Sequence, residues 1–253
     1  MQLTSRTKAA RRRPKATRTP ADDKCLFGFG PKKGPPANYD EIASQAVTAV
    51  QAGLKAGERA MEIEFPPLTS LNKINDGSAK NSRLAQETTV KLTKKLVAGL
   101  GWGKKLYVVC FELGMKAALS KAINAEVLLV DAKRLPPAKA GDVQLVVTPA
   151  DREQWDLAIK MSESAPVVIV NGVFCNGLLP FEPVYYFKPI SGWGSVVRQY
   201  PGPFTAYLAG SNVEVPCNAG LLRQGNIRRP DLRSASNALS VAFKEQESTK
   251  GGR

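Results

Sequence analysis

The spacing of apolar residues predicts a helix, a strand and a second helix along the first part of the chain. Apolar side chains recur at helical intervals over residues 38–57, where Asn38 is placed to cap the start and Gly57 to end the helix. Residues 61–65 then alternate apolar and acidic side chains as a strand does, before Pro66 and Pro67 end it. Helical spacing returns over residues 79–100, with Ala85, Leu92, Leu96 and Leu100 on one face.

Four short apolar runs follow, at residues 106–111, 127–130, 143–147 and 167–170, with helical stretches at 113–123 and 151–162. Runs of this kind, separated by helices, are typical of central parallel strands that are covered on both faces. Beyond residue 171 the segments 183–188, 194–200 and 203–208 are aromatic and broken by Gly and Pro, which indicates an antiparallel extension. The predicted fold class is therefore a three-layer α/β domain with a mainly parallel sheet flanked by helices and an antiparallel C-terminal extension.

Charge divides the chain into a basic N-terminal segment and a milder remainder. The net charge is +14, of which residues 1–36 carry +8 and residues 37–253 carry +6. Residues 1–21 contain no acid and are rich in Arg, Lys, Thr and Ala, a composition that favours an organelle transit peptide. The alternative is a disordered basic tail that contacts RNA or an anionic surface. We expect residues 1–36 to form this tail and a Gly/Pro linker, residues 37–244 a single domain ending in a helix over 234–244, and residues 245–253 a disordered end.

The composition also limits the chemistry that is available. The sequence has no histidine, and its four cysteines (Cys25, Cys110, Cys175 and Cys217) form no CxxC pair, so we expect no metal site, no cofactor and a reducing compartment. Residues 28–36 (GFGPKKGPP) do not match a phosphate-binding loop. No apolar run approaches the roughly 18 residues that a membrane-spanning helix needs, which favours a soluble or peripherally attached protein.

Polar residues at the predicted strand ends are the first candidate ligand site. In an open α/β sheet, ligands bind beyond the carboxyl ends of the strands. The candidates there are Glu112, Asp131, Thr148, Asp151, Asn171 and Asn176. Their oxygens could converge on Mg²⁺ or on a sugar hydroxyl. The alternative, which we favour, is that Asp151 caps its helix while Asn171 and Asn176 close turns.

Two further groups of charged residues have alternative interpretations. Glu62 and Glu64 share one strand face, where paired carboxylates could serve acid/base chemistry, but such alternation more often marks a strand near the sheet edge with one wet face. A basic loop over residues 224–233, with Arg223 beside it, could contact phosphate or anionic headgroups, or could simply face water. Its arginines are Arg223, Arg228, Arg229 and Arg233. We expect no catalytic residue, since a catalytic cysteine has no histidine to activate it.

Several segments in a fixed order resemble a known family. They are MEIEFPPL (61–68), NSRLA (81–85), VVIVNG (167–172), RQYPGPFTAY (198–207) and RRPD (228–231). Over roughly residues 38–233 the chain resembles a plant and algal family of domains of unknown function. That family includes the low-photosystem-II-accumulation assembly factor and a domain attached to a chloroplast adenylate kinase. The resemblance implies a nucleus-encoded plastid protein without established catalytic residues, in some members an auxiliary factor in thylakoid complex assembly.

These observations lead to one expected function and two alternatives. We expect a non-catalytic chloroplast accessory or assembly protein that binds protein partners, such as a photosystem complex, at the stromal face of the thylakoid, with peripheral membrane contact as an option. The first alternative is an enzyme that binds a nucleotide or phosphometabolite through the strand-end carboxylates. The second is an RNA- or ribosome-associated protein that contacts nucleic acid through its N-terminal tail.

Overall fold

A nine-stranded mixed sheet organises the chain in the computed structural model, which describes residues 34–66, 79–101, 103–131, 133–172, 180–216, 222–224 and 227–251. The elements in chain order are α1 (Tyr39–Ala56), β1 (Ala60–Glu64), α2 (Ala79–Leu100), β2 (Leu106–Cys110), α3 (Leu113–Ala122), β3 (Glu126–Leu129), β4 (Val143–Val147), α4 (Arg152–Ser162), β5 (Val167–Val170), β6 (Glu182–Ile190), β7 (Gly194–Gln199), β8 (Thr205–Leu208), β9 (Glu214–Val215), β10 (Leu222–Gln224), β11 (Ile227–Arg229) and α5 (Leu232–Gly251).

The strand order of the large sheet is β3-β2-β4-β5-β1-β6-β7-β8-β9. Neighbours from β3 to β6 are parallel, and β6 to β9 are antiparallel. The predicted fold class, a mainly parallel α/β sheet with an antiparallel C-terminal extension, is confirmed. β10 and β11 form a separate antiparallel hairpin, so the segment predicted as a basic loop is a hairpin followed by the start of α5.

Helices cover both faces of the sheet and divide the core. On one face, α1, α2 and α3 pack against the sheet through a cluster that includes Met61, Ile63 and Leu96. On the other face, α4 places Trp155 against β4 and β5, while α5 places Leu239 against the antiparallel strands. The predicted caps of α1 are confirmed, because the Asn38 side chain accepts a hydrogen bond from the Glu41 N–H and Gly57 ends the helix at a φ of +88°. None of the helices in the described ranges has the length and apolar character needed to cross a membrane.

Three further local predictions were wrong, each for a physical reason. β1 lies between β5 and β6 rather than near an edge, and Glu62 is only 3% exposed, because the chain returns after β5 to add β6 beside β1. β3 is an edge strand rather than a central one. An apolar run indicates that the faces of a strand are at least partly covered, but it does not indicate how many strands lie beside it. α5 continues to Gly251, so residues 245–251 are helical rather than a disordered end.

Candidate functional site

At the carboxyl edge of the sheet, Thr148 and Asn171 hold neighbouring strands together. The Thr148 N–H donates to the Val170 carbonyl oxygen at 2.9 Å, and the Asn171 N–H donates to the Ile63 carbonyl oxygen at 3.0 Å. The Asn171 Oδ1 also accepts a hydrogen bond from the Phe65 N–H at 3.0 Å. Both residues have left-handed backbones, with φ of +48° and +51°, and Asn171 lies at a bend of the chain directly after β5. The prediction that Asn171 closes a turn is confirmed.

Asp151 caps α4, as the favoured interpretation predicted. Its Oδ1 accepts the Gln154 N–H at 2.9 Å, and its Oδ2 accepts the Gln154 side-chain Nε2 at 2.9 Å. The Gln154 Oε1 in turn accepts the Ala150 N–H at 2.8 Å, which completes a reciprocal cap. The carboxylate of Asp151 is therefore engaged with its own helix.

The other strand-end candidates include Glu112 after β2 and Asp131 after β3. Glu112 is the N-cap residue of α3, but its side chain makes no capping hydrogen bond. The Asp131 Oδ1 accepts the Lys133 N–H at 2.8 Å. Glu112 and Thr148 follow the adjacent strands β2 and β4, whose helices leave to opposite faces, and this is where such a sheet opens its crevice. Within the described ranges, no group of three or more Cys, Asp or Glu residues could hold a metal ion.

The arginine candidates divide between the hairpin and the last helix. Arg223 of β10 is the register partner of Arg228 of β11, and Arg229 ends β11, which lies beside β6. Arg233 is exposed in the first turn of α5, where its N–H donates to the Asp231 Oδ1 at 3.0 Å. Asn176 and the side chains of the three hairpin arginines lie outside the described part of the structure.

The segment RQYPGPFTAY (198–207) builds a buried ion pair that the sequence did not indicate. Arg198 is 6% exposed, its guanidinium forms an ion pair with Glu182, and its Nε donates to the Gly202 carbonyl oxygen at 3.1 Å. The same guanidinium lies 5.0 Å from the Phe204 ring centroid, a cation–π contact. These contacts join the start of β6 to the end of β7 and the turn after it, which gives the segment a structural role.

The outer edge of β3 is an open row of backbone groups. The Val130 N–H donates to the Cys110 carbonyl oxygen at 3.1 Å, and the Cys110 Sγ donates to the Leu128 carbonyl oxygen at 3.5 Å. Because alternate residues of a strand point their backbone groups to opposite sides, Val127 and Leu129 turn theirs outward. Among the described residues, no strand pairs with this outer edge.

A groove of about 580 Å³ adjoins the start of β3. It is lined by Lys94, Val97, Ala98, Gly101, Gly103 and Asn124. Close by, the Lys105 ammonium lies 4.5 Å from the Tyr107 ring centroid and 3.3 Å from the Glu126 carboxylate. The contact with Tyr107 raises the pKa of Lys105 above its ordinary value, and the ion pair with Glu126 adds a smaller increase. The pattern of the sequence could have revealed neither the edge nor the groove, because both depend on which strand ends the sheet.

Comparison with known proteins identifies a family. A family model described as a domain of unknown function (DUF1995) matches residues 36–176, which span α1 to β5 and so include the β3 edge and the groove beside it. No curated protein and no solved structure matches the chain.

Proposed function

The chain belongs to this family of domains of unknown function (DUF1995), and from this premise we propose that it is a non-catalytic accessory protein that binds protein partners. The partners are proposed to be photosystem or other complexes at the stromal face of the thylakoid. The observation that carries the binding half of the proposal is the open edge of β3.

An open edge of this kind is a template for pairing with another chain. The edge presents unpaired N–H and C=O groups, to which an extended segment of a partner adds as a further strand. Natural proteins commonly protect such edges with inward-pointing charges, Pro or a bulge. β3 carries Val127, Leu128 and Leu129 in sequence, all half-buried, and its only charged residue is Glu126 at the start.

The polar residues at the carboxyl ends of the strands support the same choice over the enzyme alternative. Asp151 caps α4 and Asn171 fastens β5 to β1, so both side chains are already used by the fold. A carboxylate that is held by its own helix is poorly placed to bind a substrate or to transfer a proton.

The compartment half of the proposal rests on composition and resemblance. Residues 1–21 have the acid-free, Arg-rich composition of a transit peptide, and the segment MEIEFPPL resembles a plastid family. A fluorescent protein fused to the C-terminus of the full chain should accumulate in chloroplasts. Fluorescence confined to the cytosol or nucleus would contradict the compartment but leave the binding surface untouched.

Substitution of Val127 tests the binding surface directly. Val127→Pro removes one outward N–H, a change that an edge strand tolerates because that N–H makes no bond within the sheet. Val127→Ala is the matched control, since it loses the same packing but keeps the N–H. We expect the wild type and Val127→Ala to capture the same proteins from a stromal and thylakoid extract, and Val127→Pro to lose them while its circular dichroism stays unchanged. Equal capture by all three proteins would overturn the proposal.

A further inference from the structure

We infer that a basic surface on the layer of helices α1, α2 and α3 docks the protein on an anionic lipid bilayer. This surface, the basic helix face, consists of exposed lysines in the C-terminal half of the layer and in the turn after α2: Lys55, Lys91, Lys94, Lys104 and Lys121. The inference goes beyond the proposed pairing of a protein strand. It concerns a helical surface and not the edge of β3, so either proposal can fail without the other.

α2 supplies the centre of the basic helix face. Lys91 and Lys94 are both exposed, whereas Leu92 and Leu96 of the same helix are buried in the core. Residues three or four positions apart lie on the same side of a helix. The two ammonium groups therefore lie together on the side of α2 that faces away from the sheet.

Two grooves connect this side of α2 with lysines from neighbouring elements. Lys55 of α1 and Lys104 line one groove, of about 220 Å³, together with the last turn of α2. Lys94 lines the other, of about 580 Å³, together with Asn124, which follows shortly after Lys121 at the end of α3. The lysines of the three helices therefore surround the C-terminal end of α2 as one patch.

The charge of this patch is not cancelled by acids. Asp40 and Glu87, the exposed acids of the three helices, already pair with Lys95 at 2.6 Å and with Arg83 at 2.9 Å. In the part of the chain that the structure describes, none of the five lysines of the basic helix face forms an ion pair. Their charge exceeds that of the three helix ends, each of which carries roughly half a negative elementary charge.

The helix on the opposite face of the sheet has the opposite charge. α4 and the residues that flank it carry four exposed acids and two exposed bases, namely Asp151, Glu153, Asp156 and Glu163 against Arg152 and Lys160. A negatively charged membrane attracts the basic helix face and repels α4. The distribution of charge therefore favours one orientation of the protein on such a membrane.

The chemistry of the basic helix face favours a bilayer over nucleic acid. Its charges are all lysines, which are compact point charges, whereas arginine is the residue that binds individual phosphates through two hydrogen bonds. Proteins that bind single-stranded nucleic acid also stack bases on aromatic side chains. Neither α2 nor α3 contains an aromatic residue. The face is therefore suited to diffuse attraction by many headgroups.

Co-sedimentation of the purified full-length protein with lipid vesicles tests the inference. One set of vesicles contains phosphatidylcholine and phosphatidylglycerol in equal amounts, and the other contains phosphatidylcholine alone. The test variant is Lys91→Gln/Lys94→Gln. The matched control is Lys160→Gln/Lys244→Gln, which removes the same charge from exposed positions on α4 and α5, the helices of the opposite face. Because all four side chains are exposed, circular dichroism should be the same for every protein.

We expect the wild type to bind the anionic vesicles and not the neutral ones. Each lysine near an anionic surface strengthens binding about fivefold, so the test variant should bind about 10- to 30-fold more weakly than the wild type, and the control within about twofold of it. Concentrated salt should release the wild type, because it screens the attraction.

Unchanged binding of the test variant would overturn the inference and assign any membrane contact to another part of the chain, such as basic residues 1–36. Equal weakening of the test and control variants would also overturn it, because only the total charge would then matter. Binding to polyuridylate is measured in parallel. If the test variant loses that binding but keeps the vesicles, the face belongs to nucleic acid. All these variants retain β3, so the comparison of Val127→Pro with Val127→Ala decides strand pairing separately.

Discussion

Asn171 joins two neighbouring strands of the sheet through one side chain and one backbone conformation. Its left-handed backbone turns the chain after β5, and its Oδ1 accepts the N–H of Phe65 just beyond the end of β1. Asparagine is suited to both tasks, because it tolerates positive φ and carries an acceptor on a short side chain.

The two contributions of Asn171 can be separated by substitution. Asn171→Gly keeps the turn but leaves the partly buried Phe65 N–H without its acceptor, at a cost of about 1–2 kcal/mol in the free energy of unfolding. Asn171→Ala also forces a Cβ into the left-handed region, which adds about 1–2 kcal/mol. Urea denaturation should therefore rank the proteins wild type, Gly variant, Ala variant. An Ala variant as stable as the Gly variant would show that the backbone conformation is unimportant.

The sequence could indicate part of this arrangement. Polar Asn171 followed by Gly172 after an apolar run predicted a turn, and the structure has one. The partner of the side chain was not predictable, since Phe65 lies 106 residues away along the chain and only the strand order brings the two together.

At the scale of elements, α3 and α4 both have an acidic N-cap residue, but only one of the two side chains caps its helix. The Asp151 carboxylate caps α4 at 2.9 Å, whereas the Glu112 side chain leaves the first N–H groups of α3 without a cap. The difference is one of length, because a short aspartate reaches back to its helix and glutamate is a poor N-cap.

This contrast predicts opposite effects of substitution on stability. Asp151→Ala should lower the free energy of unfolding by about 1 kcal/mol, the usual value of an N-cap. Glu112→Ala should change it little, and Glu112→Ser should raise it by about 0.5–1 kcal/mol by supplying the missing cap. Thermal melts followed by circular dichroism would measure all three variants. Strong destabilisation by Glu112→Ala would contradict the structure.

The sequence pattern predicted the individual helices and strands, but not which strands lie side by side in the sheet. The stripes of α1 and α2 and the apolar runs of β2, β4 and β5 appear in the sequence because each reports burial of its own faces. The prediction for β1 was wrong because apolar residues alternate with glutamates in two kinds of strand. One is an edge strand with a solvated face, and the other is a central strand with a buried glutamate such as Glu62. The polar end of α5 likewise has no apolar stripe that could distinguish a solvated helix from a disordered end.

At the scale of the whole molecule, buried acidic groups make the fold sensitive to alkali. Burial raises the pKa of the Cys110 thiol to about 11. Burial also raises the pKa of the hydroxyls of buried Tyr185 and half-buried Tyr39, whose side chains belong to the core cluster beneath α1 or pack against it. Each group stays protonated in the folded state at a pH at which the unfolded chain has released the proton, so rising pH favours unfolding.

The resulting loss of stability has a defined pH range. The contribution of Cys110 is complete below about pH 8.5, the ordinary pKa of a thiol, and is lost as the pH rises towards 11. That shift corresponds to about 3 kcal/mol of unfolding free energy. Cys110→Ala should be less stable near neutral pH but should lose less stability between pH 8.5 and 10, as measured by urea denaturation. Parallel pH profiles for the two proteins would contradict this assignment.

The central position of β1 has a consequence for how the protein is made. β1 leaves the ribosome early, yet its partners β5 and β6 begin at Val167 and Glu182, long after Ala60. Throughout that interval Met61 and Ile63 have no sheet to join, and contacts between residues so distant in sequence form slowly. Productive synthesis of this chain therefore depends on keeping a nascent apolar segment from aggregating until the last parallel strand has emerged.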